Sequence, residues 1–208
     1  HAMPHVPLWV SKAFRNKSRR GLYGDVIMEI DWSVGKVLEK LKALGLDNNT
    51  LVIFTSDNGP WLKYKVEGGK AYPLRYGKAT VFEGGQRVPC IMRWPGKIPA
   101  GSVCHELAAA MDVYPTLALL AGASLPRGRV IDGKDIWPLM SGAPGATSPH
   151  EAFFYIIDNQ VLGVRKGQWK YILKHRPISW AFPPGQAPGE VSEALYDLSN
   201  DIGEAVNV

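Results

Sequence analysis

Cysteine is scarce in this chain, since only Cys90 and Cys104 occur among its 208 residues. Two cysteines are too few for a disulfide framework or a four-cysteine zinc site. They could pair with each other, but two small buried thiols are the better expectation. Long apolar runs are missing too, because none approaches the roughly 18 residues that predict a membrane-spanning helix. The first residues lack the charged and apolar blocks of a secretory signal peptide.

Charge is moderate. Charged residues make up 21% of the chain and apolar residues 46%, which is ordinary for a globular protein and excludes bulk disorder. The net charge of +5 only weakly indicates an anionic partner. Residues 11–20 form a basic run, which we interpret as a solvated loop rather than a nucleic-acid surface. We therefore expect no nucleic-acid partner and no membrane span.

A long helix followed by an apolar strand dominates the first part of the chain. Between residues 24 and 44, apolar side chains recur at intervals of three and four, which predicts one amphipathic helix. Gly45 can adopt the left-handed backbone conformation that commonly ends such a helix. Residues 51–55 are apolar without alternation, as in a strand of a parallel sheet covered by helices. The helix and the strand that follows it together predict half of a β-α-β unit.

The middle of the chain predicts a long functional loop. Glycine recurs between residues 59 and 88, and such loops commonly carry function. A second strand is predicted at 88–94 and a second helix at 107–121. Pro115 lies inside that helix and marks a kink or a junction between two short helices.

Beyond a stretch rich in proline and glycine, the pattern changes to short strands separated by turns, which predicts a small antiparallel sheet. We place a boundary near residue 148. The predicted fold class is α/β. Residues 1–148 form part of a helix-flanked, mixed, mostly parallel sheet, and residues 149–208 form a small antiparallel-sheet α+β subdomain.

Asp57 and Asn58 directly follow the first strand, and ligands of open parallel sheets bind beyond the carboxyl ends of strands. A carboxylate beside a carboxamide suits Ca²⁺ or Mg²⁺ better than zinc. Gly59 lets the backbone turn sharply around an ion. An ordinary Asp-Asn-Gly turn is the competing interpretation, and these residues alone favour it.

Two cationic side chains are further candidates. Lys78, held by a preceding glycine in the loop, could project into a cleft and bind an anion as a point charge. His5 stands between two prolines that stiffen the backbone, and it could donate a hydrogen bond to an anion or a leaving oxygen. The competing interpretations are a solvent-facing lysine and an exposed terminal histidine. Glu83 and Arg87 are expected to pair and brace the loop.

Each motif is weak alone, but their joint order resembles the arylsulfatase family over essentially the whole chain. The motifs that carry the resemblance are Pro-His-Val-Pro at 4–7, Gly-x-x-Gly-Asp at 21–25, Thr-Ser-Asp-Asn-Gly at 55–59, Gly-Lys at 77–78, Glu-Gly-Gly-Gln-Arg-Val-Pro at 83–89, Arg-Trp-Pro-Gly at 93–96 and Leu-Tyr-Asp-Leu at 195–198.

The resemblance implies a type I sulfatase of the alkaline-phosphatase-like superfamily, which hydrolyses sulfate esters with bound Ca²⁺. It implies that Asp57 and Asn58 are Ca²⁺ ligands. Lys78 would bind the sulfate and the bridging oxygen of the leaving group, while His5 would contact the sulfate and help protonate the leaving alcohol. The partner would be an aryl or carbohydrate sulfate ester, and the family habit is a periplasmic or secreted location.

One departure from the family is serious. Its enzymes use a formylglycine made in a Cys/Ser-x-Pro-Ser/Ala-Arg motif, and no such motif occurs in this chain. The chain therefore looks like the carboxyl-terminal part of a sulfatase, with residues 1–148 belonging to the catalytic α/β domain. We expect it to be inactive alone and to expose apolar faces at Val52, Phe54 and Ile91, through which it could form an oligomer.

Two alternatives compete with a sulfate-ester hydrolase. One is a non-catalytic protein that kept half of a sulfatase site and binds an anion or a partner. The other is a phosphoryl-transfer enzyme of the same superfamily. The second is disfavoured because such enzymes rely on several histidine and aspartate metal ligands, and no such histidine set is present.

Overall fold

The computed structural model describes residues 4–208. Its helices are α1 Gly21–Ala43, α2 Glu83–Gln86, α3 Val113–Leu120 and α4 Trp137–Ser141. Its strands are β1 Val52–Thr55, β2 Cys90–Arg93, β3 Phe153–Ile157, β4 Gln160–Lys166, β5 Trp169–Ile172 and β6 Ala194–Asp197. Short 3-10 turns lie at Asp47–Asn49, Leu62–Glu67, Ala110–Asp112 and Ser179–Ala181. No helix within the described residues combines the length and apolar character needed to cross a membrane.

The helix α1 confirms the predicted amphipathic helix, and Gly45, with a φ of 69°, follows its end as expected. Its first turns carry the buried Asp25, which accepts the backbone N–H groups of Ser18 and Asn16 at 2.6 and 2.7 Å. These hydrogen bonds lower the pKa of Asp25. They hold the mostly exposed basic loop 11–20 against the helix.

The structure confirms the α/β class and corrects one detail of the first sheet. The strands β1 and β2 pair antiparallel rather than parallel, with Val52 opposite Arg93 and Thr55 opposite Cys90. A parallel neighbour requires a crossover that carries the chain back along the strand. The connection here contains only a 3-10 turn and the short α2, so β2 starts beside the end of β1.

The apolar surface of this strand pair is exposed, as expected. Ile91 is 63% exposed and Phe54 is 39% exposed, while Val52 is half-buried. The expectation of buried thiols is wrong, because Cys90 and Cys104 are both free and exposed. Cys90 begins β2, and the first half of that strand is exposed, so no neighbouring packing covers a small side chain there.

The strands β3 to β6 form one antiparallel sheet in chain order, which confirms the predicted short strands. Its inner face packs Tyr155 and Ile172 against Val81 and Phe82. Val81 and Phe82 lie immediately before α2. The carboxyl-terminal sheet and the glycine-rich loop therefore share one hydrophobic core.

The second predicted helix is shorter than expected. The 3-10 turn Ala110–Asp112 leads into α3, whose first turn contains the buried Pro115, in agreement with a junction of two short elements. The buried Asp112 accepts the backbone N–H of Lys134 at 2.8 Å and lies 2.7 Å from Nε2 of His150. These contacts fasten the chain that leads to β3 onto α3.

Candidate functional site

Three segments meet at the carboxyl end of β1 through close backbone contacts. The N–H of Gly59 donates to the carbonyl of Gly85 at 3.1 Å. The N–H of Lys78 donates to the carbonyl of Pro60 at 2.9 Å. A Cβ atom on Gly59 would overlap the carbonyl oxygen of Gly84. The close contact between the two backbones therefore requires glycine at position 59. The loop after β1, the loop that carries Lys78 and α2 are therefore locked together.

Replacing Gly59 with alanine is expected to lower the free energy of unfolding by about 1–3 kcal/mol, because the new Cβ forces the loop away from α2. Urea denaturation measures the change. The matched control is Gly128→Ala, where a Cβ meets open space and φ is not positive, and its effect should stay within about 1 kcal/mol. Equal effects of the two substitutions would contradict the close-packing argument.

Trp61 connects the two cationic candidates. The Nζ of Lys78 lies 5.2 Å from the centre of the Trp61 ring. The ring centre of His5 lies 6.2 Å from the same ring. Lys78 is half-buried, whereas His5 is exposed. The structure thus brings His5 and Lys78 to one aromatic side chain, directly after the loop that holds Asp57 and Asn58.

The contact of His5 with its neighbour fixes which ring nitrogen is available. Its Nδ1 lies 2.8 Å from the carbonyl oxygen of Val6. A carbonyl oxygen only accepts, so Nδ1 carries a proton in this contact. The neutral ring then presents an acceptor at Nε2, and only the imidazolium presents a donor there. The charge of His5 therefore decides whether it can donate to an anion.

Asp57 and Asn58 carry the type of ligand atom that Ca²⁺ prefers, but two residues are too few to form a Ca²⁺ site. Asp57 is exposed, Asn58 is half-buried, and both carry the hard oxygen atoms that Ca²⁺ prefers. Ca²⁺ takes about six to eight such ligands. Among residues 4–208, no group of three or more His, Cys, Asp or Glu side chains could hold a metal ion. These residues alone do not complete a Ca²⁺ site.

A buried ionic network lies behind the loop and holds α2. Glu83 pairs with Arg87 at 2.8 Å, as their spacing predicts. Its other carboxylate oxygen lies 2.9 Å from Nζ of Lys170 and accepts the hydroxyl of Tyr155 at 3.1 Å. Lys170 also pairs with Glu204 at 2.8 Å. Lys170 and Glu204 are fully buried, so the network links α2 to β5 and to the last residues of the chain.

Burial affects the two carboxyl groups of this network differently. It would raise the pKa of Glu83, but the positive charges of Lys170 and Arg87 outweigh it and hold the pKa below its ordinary value. Burial raises the pKa of Glu204 above its ordinary value, and Lys170 offsets this only in part. Burial, together with the Glu83 charge, also raises the pKa of Tyr155. Of these two carboxyl groups, the surrounding cations therefore stabilise the charged form of Glu83 more than that of Glu204.

Lys170 was not among the residues predicted from the sequence, although one sequence signal for it exists. Lys170 and Ile172 are both 0% exposed and lie on the same face of β5. A lysine on the buried face of a strand needs a buried partner.

Trp61 was also not predicted from the sequence, although it follows the Asp-Asn-Gly-Pro segment directly. Its partners were not visible, because one of them, Trp180, lies 119 residues further along the chain.

Comparison with known proteins identifies the family to which the chain belongs. A protein-family model described as Sulfatase matches residues 1–123 of the chain. The chain belongs to the sulfatase family. A second model, described as N-sulphoglucosamine sulphohydrolase, C-terminal, matches residues 74–183 of this sulfatase-family chain.

Individual sulfatases agree with this assignment. N-acetylgalactosamine-6-sulfatase of Canis lupus familiaris is 46% identical over 218 aligned positions, which cover 96% of this chain and 41% of the relative. Arylsulfatase A of Homo sapiens is 39% identical and is matched over 98% of this chain and 42% of its own length. A crystal structure of the PsFucS1 sulfatase from Pseudoalteromonas sp. superposes with a TM-score of 0.88 at 27% identity, covering 99% of this chain and 42% of that one.

The sulfatase-family chain thus spans about two fifths of the length of the curated relatives it matches. The solved sulfatase gives the same proportion. The fold and the family follow from these matches, whereas the roles of His5, Asp57, Asn58 and Lys78 stay predictions.

Proposed function

We propose that this chain carries the leaving-group and sulfate-binding part of a sulfate-ester hydrolase. The observation that supports this most is the position of Lys78. Its backbone is bonded to the loop after β1, and its half-buried side chain reaches Trp61 beside His5. A cation held in this way suits the tetrahedral, negatively charged sulfate group and the charge that develops on a leaving oxygen.

In this proposal Lys78 is the main anion ligand. Its ammonium group is a point charge with three donors, so it can contact a sulfate oxygen and the bridging oxygen together. Stabilising the negative charge on the bridging oxygen lowers the barrier to cleavage of the sulfur–oxygen bond. The hydrogen bond from the Lys78 backbone to Pro60 limits how far the residue can move from the site.

His5 contributes only in its charged form. With Nδ1 directed at the Val6 carbonyl, the imidazolium presents an N–H at Nε2 to a sulfate oxygen or to the leaving alcohol. After donating that proton, the neutral ring presents an acceptor. His5 then suits the role of a general acid for the leaving group.

Two groups that the family resemblance implies would complete the chemistry. Ca²⁺ would neutralise sulfate charge, with Asp57 and Asn58 as two of its ligands, and a formylglycine would supply the covalent nucleophile. The formylglycine needs residues outside this chain, because its motif does not occur in the 208 residues. Ca²⁺ needs further ligands, because it takes about six to eight oxygen atoms and Asp57 and Asn58 supply only part of that number. We therefore propose that the chain is an incomplete part of a longer sulfatase.

The absence of the formylglycine motif also favours a second candidate function. A sulfatase-derived protein could keep Lys78 and His5 for binding an anion and use the exposed strand pair to contact another chain. The exposed apolar side chains Phe54 and Ile91 would belong to such a contact. This candidate predicts sulfate binding without hydrolysis in any larger assembly.

Sulfate binding tests the proposal directly. Lys78→Ala is expected to weaken the binding of inorganic sulfate about tenfold or more, because a charge-assisted contact is lost. Isothermal titration calorimetry of the 208-residue chain measures the affinity. Lys63→Ala is the matched control, because it removes a nearby exposed lysine and the same unit of charge. If both variants lost the same affinity for sulfate, the loss would come from the change in net charge alone. That result would contradict a sulfate site at Lys78.

A further inference from the structure

The backbone around Lys78 is strained on both sides of that residue. Tyr76 has a φ of 57° and Ala79 has a φ of 63°. Both values lie in the left-handed region, which residues other than glycine rarely adopt. Such a conformation persists only where the surrounding contacts hold it. The position of Lys78 therefore depends on groups that keep its backbone from relaxing.

The two ends of this strained stretch are joined to each other. The N–H of Gly84 donates to the carbonyl of Arg75 at 2.9 Å. A Cβ atom on Gly84 would overlap the same carbonyl oxygen, so the two backbones are in direct contact. We name residues 75–84 the closed segment. A group that holds both of its ends also limits the movement of Lys78.

Glu204, which follows β6 in the chain, is bonded near both ends of the closed segment. Its backbone carbonyl accepts the Nη1–H of Arg75 at 2.7 Å. Its carboxylate accepts the backbone N–H of Glu83 at 2.7 Å. Arg75 begins the closed segment, and Glu83 lies one position before its last residue. One residue therefore holds the segment on both sides of Lys78.

The carboxylate of Glu204 is buried and fixed in direction. Its other oxygen lies 2.8 Å from Nζ of Lys170, which offsets the cost of burying the negative charge. Glu204, Lys170 and Glu83 are each no more than 2% exposed. Their burial comes from residues of this chain, and further segments of a longer protein can only add to it.

The backbone of Glu204 is itself strained, with a φ of 53°. Glycine would adopt this conformation at no steric cost, but glycine has no carboxylate. A glutamate at such a position indicates that its side-chain contacts outweigh the strain. These contacts are the N–H of Glu83 and the ammonium group of Lys170.

We propose that Glu204 is a positioning residue of the sulfate site, because it holds the closed segment in the strained conformation that places Lys78 beside Trp61. This inference rests on the proposed function of Lys78 as the anion ligand. Glu204 contacts no ligand itself and acts through Lys78. Without its carboxylate the closed segment relaxes, and Lys78 spends less time where it can bind sulfate.

Isothermal titration calorimetry of the 208-residue chain with inorganic sulfate tests the proposal. Glu204→Ala is expected to weaken binding about tenfold, as when the binding conformation is populated about a tenth of the time. In the Lys78→Ala background the same substitution should change the affinity by less than about twofold, because the two residues act together. An equal loss in both backgrounds would overturn the proposal, since Glu204 would then act without Lys78.

Asp112→Asn is the matched control for a change at a buried acidic side chain. Asp112 is 0% exposed and accepts the N–H of Lys134 at 2.8 Å, but it lies on the turn before α3, outside the closed segment. This variant should leave the sulfate affinity within about twofold of the wild type. A tenfold loss here would mean that general destabilisation explains the effect of Glu204, and the proposal would fail.

Glu204→Gln replaces Glu204→Ala if the alanine variant does not fold. Glutamine keeps the size of the side chain and one oxygen acceptor for the N–H of Glu83. A neutral acceptor holds that N–H less strongly than a carboxylate, so we expect a loss of sulfate affinity of about threefold. An unchanged affinity in Glu204→Gln would contradict the positioning role.

Hydrogen exchange separates failure of the positioning role from failure of the proposed function. In Glu204→Ala, exchange of the Lys78 N–H, which donates to Pro60, should accelerate about tenfold more than that of the Leu173 N–H, which donates to Leu162 beside the end of β5. Equal acceleration would mean that the whole chain is loosened, and the positioning role would be wrong. If the Lys78 N–H alone accelerates while Lys78→Ala binds sulfate like the wild type, the positioning role stands and the proposed function of Lys78 fails.

Discussion

Replacing Lys170 with methionine is expected to lower the free energy of unfolding by about 3–5 kcal/mol, the range observed when one partner of a buried ion pair is removed. Lys170 is 0% exposed and lies between Glu83 and Glu204, both within 2.9 Å of its amine. Methionine keeps most of the side-chain volume. The loss therefore reports two buried carboxyl groups left without their shared cation.

Lys166→Met supplies the matched control on the same sheet. Its pair with Glu151 has a similar separation of 2.8 Å, but the two side chains are 69% and 84% exposed. An exposed pair contributes only about 0–1 kcal/mol. Urea unfolding of both variants, followed by circular dichroism, gives the comparison. Similar losses for the two lysines would mean that burial does not govern the strength of the Lys170 network.

The purified 208-residue chain is expected to hydrolyse no sulfate ester, even with added Ca²⁺. Lys78 and His5 can stabilise charge and move a proton, but no residue of this chain stands in the sequence context from which a formylglycine is made. Removing the nucleophile from a catalytic group that acts as a unit costs on the order of a millionfold in turnover. Activity should therefore lie below the detection limit.

A chromogenic aryl sulfate provides the measurement. The blank is the same chain after heat denaturation, which controls for hydrolysis by the buffer. Turnover that disappears in Lys78→Ala and in His5→Ala would show that the chain needs no formylglycine. Turnover that persists unchanged in both variants would instead indicate a contaminating enzyme.

Local patterns predicted much of the fold. The apolar spacing between residues 24 and 44 corresponds to α1, because a helix of that length repeats its pattern many times. The spacing of Glu83 and Arg87 gave their pairing, since side chains four apart meet on one helix face. The short strands after residue 148 were also recognisable. The domain boundary placed there stays a prediction.

Long-range relations could not be predicted in the same way. The apolar run of β1 predicts a strand. Whether β2 pairs with it parallel or antiparallel depends on the path of the connection between them. The pairing of Lys170 with Glu83 spans 87 positions, and no local pattern encodes it. Trp61 and Trp180 meet for the same kind of reason. The candidate site was therefore found as a set of motifs, whereas its aromatic surroundings required the structure.

The locking of the glycine-rich loop has a consequence for how this region can change length during evolution. Surface loops usually tolerate insertions and deletions. Here the turn after β1, the Lys78 loop and α2 are joined by backbone hydrogen bonds and a contact that admits no side chain. One added residue in any of them would displace the other two. We therefore expect length variation in exposed stretches between the fixed parts, such as 63–67, rather than in the three joined segments.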